Sequence, residues 1–288
     1  AIFARLGHQF AECDYSGIEV CVSTCHHKDP NMIKYILDPT SDMHRDLAQE
    51  LFLIKQINKK YPDHKQLRQA AKNGFVFPQF YGDYFKSCAI YLACECGELP
   101  KSKWKHGQGI ALPSLGQDVH LSDWLISNGI KSIDAFEEHV RHVEKAFWNK
   151  RFRVYAQWKD KVWEEYLERG YFDLFTGFRC SGVMSKNDVT NYPIQGAAFH
   201  CLLRSFIEID RISREEKWDS KLIGQIHDSL LLDIHPSERD YVLKTVYRIT
   251  CEELRKVWKW IIVPLNIEMG ICDVDRPWNE KEEYKLAA

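Results

Sequence analysis

Apolar and polar positions alternate along this chain in some stretches and recur at helical spacing in others. Residues 10–13 read as a short strand ending at Asp14. Ser16-Gly17-Ile18-Glu19 follows, an S-x-x-E pattern that predicts a capping box opening a helix with Val20 and Val22. Leu47, Leu51 and Ile54 recur at i, i+4 and i+7 and predict a helix over residues 42–59, with another expected over 65–84. Residues 97–129, with Pro100, Pro113 and five glycines, read as a loop-rich surface insertion. A long helix broken near Arg151 is expected over 133–170, a strand over 171–175 and a helix over 195–211. Two apolar runs flanking His227-Asp228 predict a hairpin over 222–234, then a helix over 237–258 and closing strands over 261–272. Strands at both ends with helices between make the fold α+β rather than doubly wound.

Composition narrows the class. A chain of 288 residues, 45% hydrophobic and 28% charged, is a globular chain long enough for two subdomains around a core. No run approaches the roughly 18 apolar residues of a membrane helix, and no charged-then-apolar leader opens the sequence. The expected place is therefore intracellular: cytoplasm, nucleoid or virus-infected host cell, with an organelle left open. Ten cysteines in a chain of this length suggest reduced structural thiols, and Cys94 and Cys96 form a C-x-C without zinc-finger spacing. A net charge of −2 and a pI of 6.7 argue mildly against a nucleic-acid partner. An acidic cation site can, however, offset a basic groove. Residues 285–288 look like a vector remnant, and the abrupt start suggests part of a longer protein.

Two aspartates carry the candidate chemistry. Asp14 ends a strand before a helix, and Asp228 sits at a hairpin tip. On neighbouring strands both carboxylates would emerge at one sheet edge. Mg²⁺ is held by one or two carboxylates plus substrate oxygens, and paired ions about 3.5–4 Å apart can activate an attacking hydroxyl and stabilise a leaving oxygen. Taken singly, each aspartate is more often a helix cap or turn residue.

The wording around them is more specific. Asp14-Tyr15-Ser16-Gly17-Ile18-Glu19 resembles motif A of family A DNA polymerases, and Gln225-Ile226-His227-Asp228-Ser229 resembles motif C. Arg68-Gln69-Ala70-Ala71-Lys72 with Phe77-Pro78-Gln79-Phe80-Tyr81-Gly82 is similar to motif B. Asn191-Tyr192-Pro193-Ile194-Gln195-Gly196 is similar to the family's N-x-P-x-Q-G signature, and Val263-Pro264-Leu265-Asn266-Ile267-Glu268 to its C-terminal strand. The motifs stand in the family's order across nearly the whole chain.

The resemblance implies a right-hand polymerase palm, an antiparallel sheet with helices, plus helical fingers. Residues 1–40 and 191–284 would be the palm, 41–190 the fingers, and no segment supplies the thumb or a proofreading exonuclease. It implies a DNA-directed DNA polymerase that extends a primer 3′-hydroxyl with two Mg²⁺ ions, Mn²⁺ being an alternative. Asp14 and Asp228 would bind both ions, with the Tyr15 carbonyl as a further ligand. Glu19 would be the steric gate that favours deoxynucleotides. Arg68 and Lys72, four apart on one helical face, would bind the triphosphate with His44, while Phe77 and Tyr81 would shape the base pocket. Asn191 and Gln195 would face the primer–template minor groove, His227 the primer end and Arg179 the template. Primer–template DNA and dNTP are the implied partners, with a thumb or exonuclease segment, on this chain or a separate subunit, needed for firm grip.

Two departures stand out. Lys72 and Tyr81 are nine residues apart, against the family's eight. An ideal helix would set them on opposite faces, and Pro78 would clash with the Gly74 carbonyl. A π-bulge or kink between Asn73 and Pro78 resolves both problems and is expected. The acidic residue that usually follows the motif C aspartate is Ser229 here. That H-D-S wording also occurs in single-subunit RNA polymerases, but Glu19 and the N-x-P-x-Q-G signature favour DNA synthesis. A catalytically dead binding module is disfavoured by the retention of Asp14, Asp228, Arg68, Lys72 and Tyr81.

Overall fold

The alternation over Gln9–Tyr15 gives strand β1 in a computed structural model that describes residues 2–286. Ala287 and Ala288, half of the expected vector remnant, lie outside the described residues. Gly17, left-handed at φ 64, turns the chain into helix α1 (Ile18–His27). The expected capping box does not form. Gly17 itself takes the N-cap place with no side-chain cap, and the Ser16 hydroxyl donates to Glu268 Oε1 at 3.0 Å. Asp29 caps α2 (Pro30–Leu37), which the hydrophobic pattern had not shown. Helix α3 (Met43–Phe52) stops short of the expected end because Leu53 is left-handed at φ 59, which leaves Ile54 buried in a loop.

Beyond it come α4 (Pro62–Ala71), a π turn (Lys72–Val76), α5 (Phe77–Tyr81), α6 (Phe85–Ile90) and a second π turn (Tyr91–Glu95). The glycine-rich stretch holds α7 (Leu121–Ser127), followed by α8 (Ile133–Ala146), a third π turn (Phe147–Arg151) and α9 (Arg153–Arg169). The break near Arg151 is therefore where the sequence placed it. Strands β2 (Tyr171–Asp173) and β3 (Arg179–Ser181) pair as a small hairpin. Helix α10 (Lys186–Glu215) begins well before the expected residue 195, at a Ser185/Asp188 capping box, and carries Pro193 inside it. Strands β4 (Lys221–Ile226) and β5 (Ser229–Ile234) form the expected hairpin. Then follow α11 (Arg239–Tyr247), a fourth π turn (Arg248–Glu253) and α12 (Leu254–Val257). Strands β6 (Ile267–Ile271) and β7 (Glu282–Glu283) end the described chain.

These elements fall into two compact units. One comprises the residues up to Lys28 together with those from Trp158 onward, and the other is Asp29–Gln157. The resemblance placed its boundaries at 40/41 and 190/191.

The first unit is built on a five-stranded antiparallel sheet in the order β4-β5-β1-β6-β7, so β1 is central. Cys13 and Tyr15 bury one face, where the Tyr15 hydroxyl donates to the Thr250 carbonyl at 3.3 Å and lies 3.1 Å from Ser205 Oγ on α10. On the other face Phe10, Leu231 and Cys272 form a small cluster with Trp278 packed against it. Seven of the ten cysteines are buried, and all ten are free thiols.

The end of α1 makes this unit acid-sensitive. His26 stacks on Phe175 at 4.0 Å, and burial lowers its pKa to about 4, while burial next to His26 and Lys159 lowers that of His27 to about 3. The neutral rings are favoured in the folded state. As pH falls below the ordinary 6.5, the unfolded chain takes up protons first, and stability drains away until the folded rings titrate near pH 4. At pH 5 the loss amounts to about 2 kcal/mol per histidine. Urea midpoints at pH 7 and pH 5 should therefore fall less in His26→Phe than in the unchanged chain.

The second unit is helical, with Leu47, Leu51, Phe75, Phe136, Phe147 and Phe152 fully buried. Its first π turn depends on Gly74. A Cβ there would come within 2.3 Å of Tyr91 Cδ1 and 3.0 Å of Leu92 Cδ2. Gly74→Ala should cost about 1–3 kcal/mol through overpacking, read as a lower urea midpoint.

Candidate active site

The acidic tip is built by a two-residue connection between β4 and β5. Ile226 pairs with Ser229, leaving His227 and Asp228 as a two-residue turn. His227 is left-handed at φ 51, as such a turn requires, and the Gln225 side chain donates to its carbonyl at 2.9 Å. In the β1–β5 register Ser229 stands opposite Asp14, and the Tyr15 N–H donates to the Asp228 carbonyl at 3.3 Å. The hairpin tip is thus tied to the end of the central strand, and Asp14 and Asp228 come from adjacent strands at one edge.

Their charges interact. Burial raises the Asp228 pKa, the Asp14 carboxylate raises it further, and Glu19 adds to the same effect. Asp14, Asp228 and Glu19 therefore share one negative neighbourhood, with both aspartates and Glu19 half-buried. Glu12, two residues before Asp14 on the same strand face, is a carboxylate that the motif reading passed over. Ser229 Oγ lies within hydrogen-bond reach of both Glu12 and Asp14. The period of two in a strand was the signal that could have found it.

A pair of crowded carboxylates needs compensating cations. Among the described residues no group of three or more His, Cys, Asp or Glu side chains is placed to hold a metal ion. A two-carboxylate edge nonetheless suits Mg²⁺, which keeps several waters and takes further oxygens from a substrate.

In the second unit the π turn does what the residue count demands. The Phe77 N–H donates to the Lys72 carbonyl five residues back, so the extra residue is absorbed before Pro78. Lys72 Nζ then lies 5.1 Å from the centre of the Phe77 ring, and His44 meets the same ring edge-on at 5.9 Å. Burial lowers the His44 pKa to about 4, helped by the nearby Arg68 and Lys72 charges, so this imidazole is neutral at physiological pH. Arg68 Nε donates to Asp42 Oδ2 at 2.8 Å, and Lys59 pairs with the same carboxylate at 3.0 Å. Asp42 also caps α3 through the Arg45 N–H. Asp42 thus anchors the Arg68 guanidinium while it starts the helix that carries His44. Tyr81, one turn beyond Phe77, is 42% exposed.

The remaining predicted residues lie elsewhere in the first unit. Asn191 and Gln195 share a face of α10 four residues apart, the first half-buried and the second exposed. Arg179 is held inside its own hairpin. It pairs with Asp173 at 2.7 and 2.9 Å and lies over the Tyr171 ring at 4.0 Å. Both side chains are exposed, so solvent screening leaves this pair little net stability.

The structure matches the POL domain of Pol1 from M. smegmatis, solved in complex with DNA primer-template and dNTP, with a TM-score of 0.66 over 97% of this chain and 42% of that one at 18% identity. Residues 133–279 match the family described as DNA polymerase family A, and the chain belongs to that family. DNA polymerase I of Aquifex aeolicus is 26% identical over 260 residues, 87% of this chain, and DNA polymerase I of Chloroflexus aurantiacus is 23% identical over 97% of it. The chain spans only 38% and 25% of the lengths of those two relatives. Among the described residues no helix is long and apolar enough to cross a membrane.

Proposed function

We propose that this chain is the catalytic part of a DNA-directed DNA polymerase that adds deoxynucleotides to a primer 3′-hydroxyl under the direction of a template. The observation that carries it is the placement of Asp14 and Asp228 on adjacent strands with mutually repelling charges. Asp14 and Asp228, with the Tyr15 carbonyl, would hold divalent ions, Mg²⁺ in the first instance. When bound, such ions neutralise charge on the reacting phosphate and lower the pKa of the attacking hydroxyl. The chain's own residues position the reactants. Lys72 and Arg68 supply cations for a triphosphate, and Asp42 pre-orients the Arg68 fork. Neutral His44 donates or accepts without adding charge. Phe77 and Tyr81 offer ring faces to the base, and Glu19 occupies space beside the sugar. Asn191 and Gln195 meet minor-groove acceptors shared by all base pairs, His227 lies at the primer end, and Arg179 contacts template.

The palm assignment follows the sheet unit and the fingers the helical unit, and a thumb segment or partner subunit supplies grip on the duplex. Support comes from the family membership and from the order of the motifs. Primer extension tests the reading: template-directed addition of deoxynucleotides with Mg²⁺ or Mn²⁺, and none after chelation, is expected. Preferential use of ribonucleotides would overturn it in favour of an RNA polymerase.

A further inference from the structure

Behind Asp14 lies a hydrogen-bond chain that ends in the C-terminal segment. Ser229 Oγ is 2.7 Å from Asp14 Oδ1 and 3.0 Å from Glu12 Oε1. A hydroxyl has a single proton to donate, so the two carboxylates compete for it. Glu12 is the better compensated of the two. Its Oε2 accepts from Trp278 Nε1 at 2.7 Å and forms an ion pair with Lys281 Nζ. Its side chain is 13% exposed and that of Lys281 40%, so the carboxylate end of the pair is shielded while the ammonium end meets water. The lysine reaches it across Gly270, which faces Glu12 in the β1–β6 register; a Cβ on Gly270 would meet Lys281 Cδ at 3.1 Å. Trp278 is in turn anchored on Phe10 of β1, with ring centres 5.7 Å apart.

We propose that Lys281 and Glu12 are positioning residues for Asp14: the ion pair draws the Glu12 charge toward the C-terminal segment, leaves the Ser229 proton to Asp14, and so holds the Asp14 carboxylate in one orientation beside Asp228. Motif C lacks its usual acidic neighbour at Ser229, and Glu12 on the adjacent strand brings a carboxylate to within 3.0 Å of the Ser229 hydroxyl. The hydroxyl between them turns that charge into an orienting contact. The proposal rests on the polymerase reading of Asp14 and deepens it.

A set of variants separates the two. Primer extension at saturating primer–template gives kcat and the nucleotide KM. Titration with Mn²⁺ followed by electron paramagnetic resonance, without DNA or nucleotide, gives ion affinity independently of turnover, and Tm reports folding. Lys281→Ala should lower kcat about 10-fold and weaken Mn²⁺ binding similarly, as loss of outer-sphere support does. Nucleotide KM should stay within about twofold. Adding Glu12→Gln to Lys281→Ala should recover most of both losses, because a neutral amide oxygen competes for the Ser229 proton far more weakly than a carboxylate does. Ser229→Ala should show the same loss, and Lys281→Ala on top of it should cost nothing more, since both act through one hydroxyl. Additive losses in that double variant, or a Lys281→Ala protein with lower Tm but unchanged kcat and Mn²⁺ affinity, would overturn the proposal. Asp14→Asn is the control. If it extends primers and binds Mn²⁺ like the unchanged chain, the polymerase reading of Asp14 fails; if it is dead while Lys281→Ala is unimpaired, only the positioning role fails.

Discussion

Replacing Asp228 with asparagine is expected to remove primer extension by a factor of about 10³ or more while leaving the protein as stable as before, or slightly more so. The two halves of this result have one cause. Asp228 has a raised pKa because burial and the neighbouring Asp14 charge disfavour its ionised form. An acid whose folded pKa lies above its unfolded value is a cost to folding at neutral pH, and that cost fades only as pH falls through the raised value toward the ordinary one. Neutralising the side chain relieves it. A structural carboxylate would behave in the opposite way, losing stability when its charge is removed. Asp14→Asn should lose extension equally, but without the gain in stability, because its carboxylate accepts the Ser229 hydroxyl at 2.7 Å. Extension assays beside thermal melts on the same preparations check both. Wild-type rates in either variant would remove the aspartates from the chemistry.

The second large effect is on sugar selection. Glu19 lies in the first turn of α1, half-buried and close enough to Asp228 to affect its ionisation. Under the polymerase reading, a carboxylate there would crowd an added 2′-hydroxyl. Forcing an extra group into occupied space costs roughly 1–3 kcal/mol, equivalent to about 5- to 150-fold in rate. Glu19→Ala should surrender that much discrimination, chiefly by raising kcat/KM for ribonucleotides. Competition between a dNTP and the matching rNTP on one template position measures it. Helix α1 starts at Gly17 with no side-chain cap, and the Ser16 hydroxyl donates to Glu268.

What the sequence made legible, and what it hid, follows from the range of the interactions. The β4–β5 hairpin was readable because its two apolar runs and tight apex are local, and the π turn at Lys72–Val76 because a count of nine between Lys72 and Tyr81 conflicts with helical geometry. Helix α10 was placed too late: the Ser185/Asp188 box upstream starts it at Lys186, and it runs on through Pro193. The S-x-x-E pattern at Ser16 misled for a related reason: a left-handed Gly17 moves the helix start past Ser16, and strand β6 offers its hydroxyl a better acceptor. Among candidate site residues, those within motifs could be named in advance. Asp42 as the anchor of Arg68, 26 positions away, and Glu12 as the partner of Lys281, 269 away, could not, because their partners are set by tertiary packing alone.

The two-residue connection between β4 and β5 has a consequence for how this protein can vary. Its length is locked to strand register, and a single inserted residue would turn every following β5 side chain to the opposite face of the sheet. Leu230 and Leu232 would leave the core, and Ser229 would lose Asp14. The acidic tip therefore tolerates exchange of neighbouring letters but no change in spacing, unlike the glycine-rich stretch before α7. In a search among distant relatives, the gap between the two apolar runs is a firmer marker than the identity of any residue flanking Asp228.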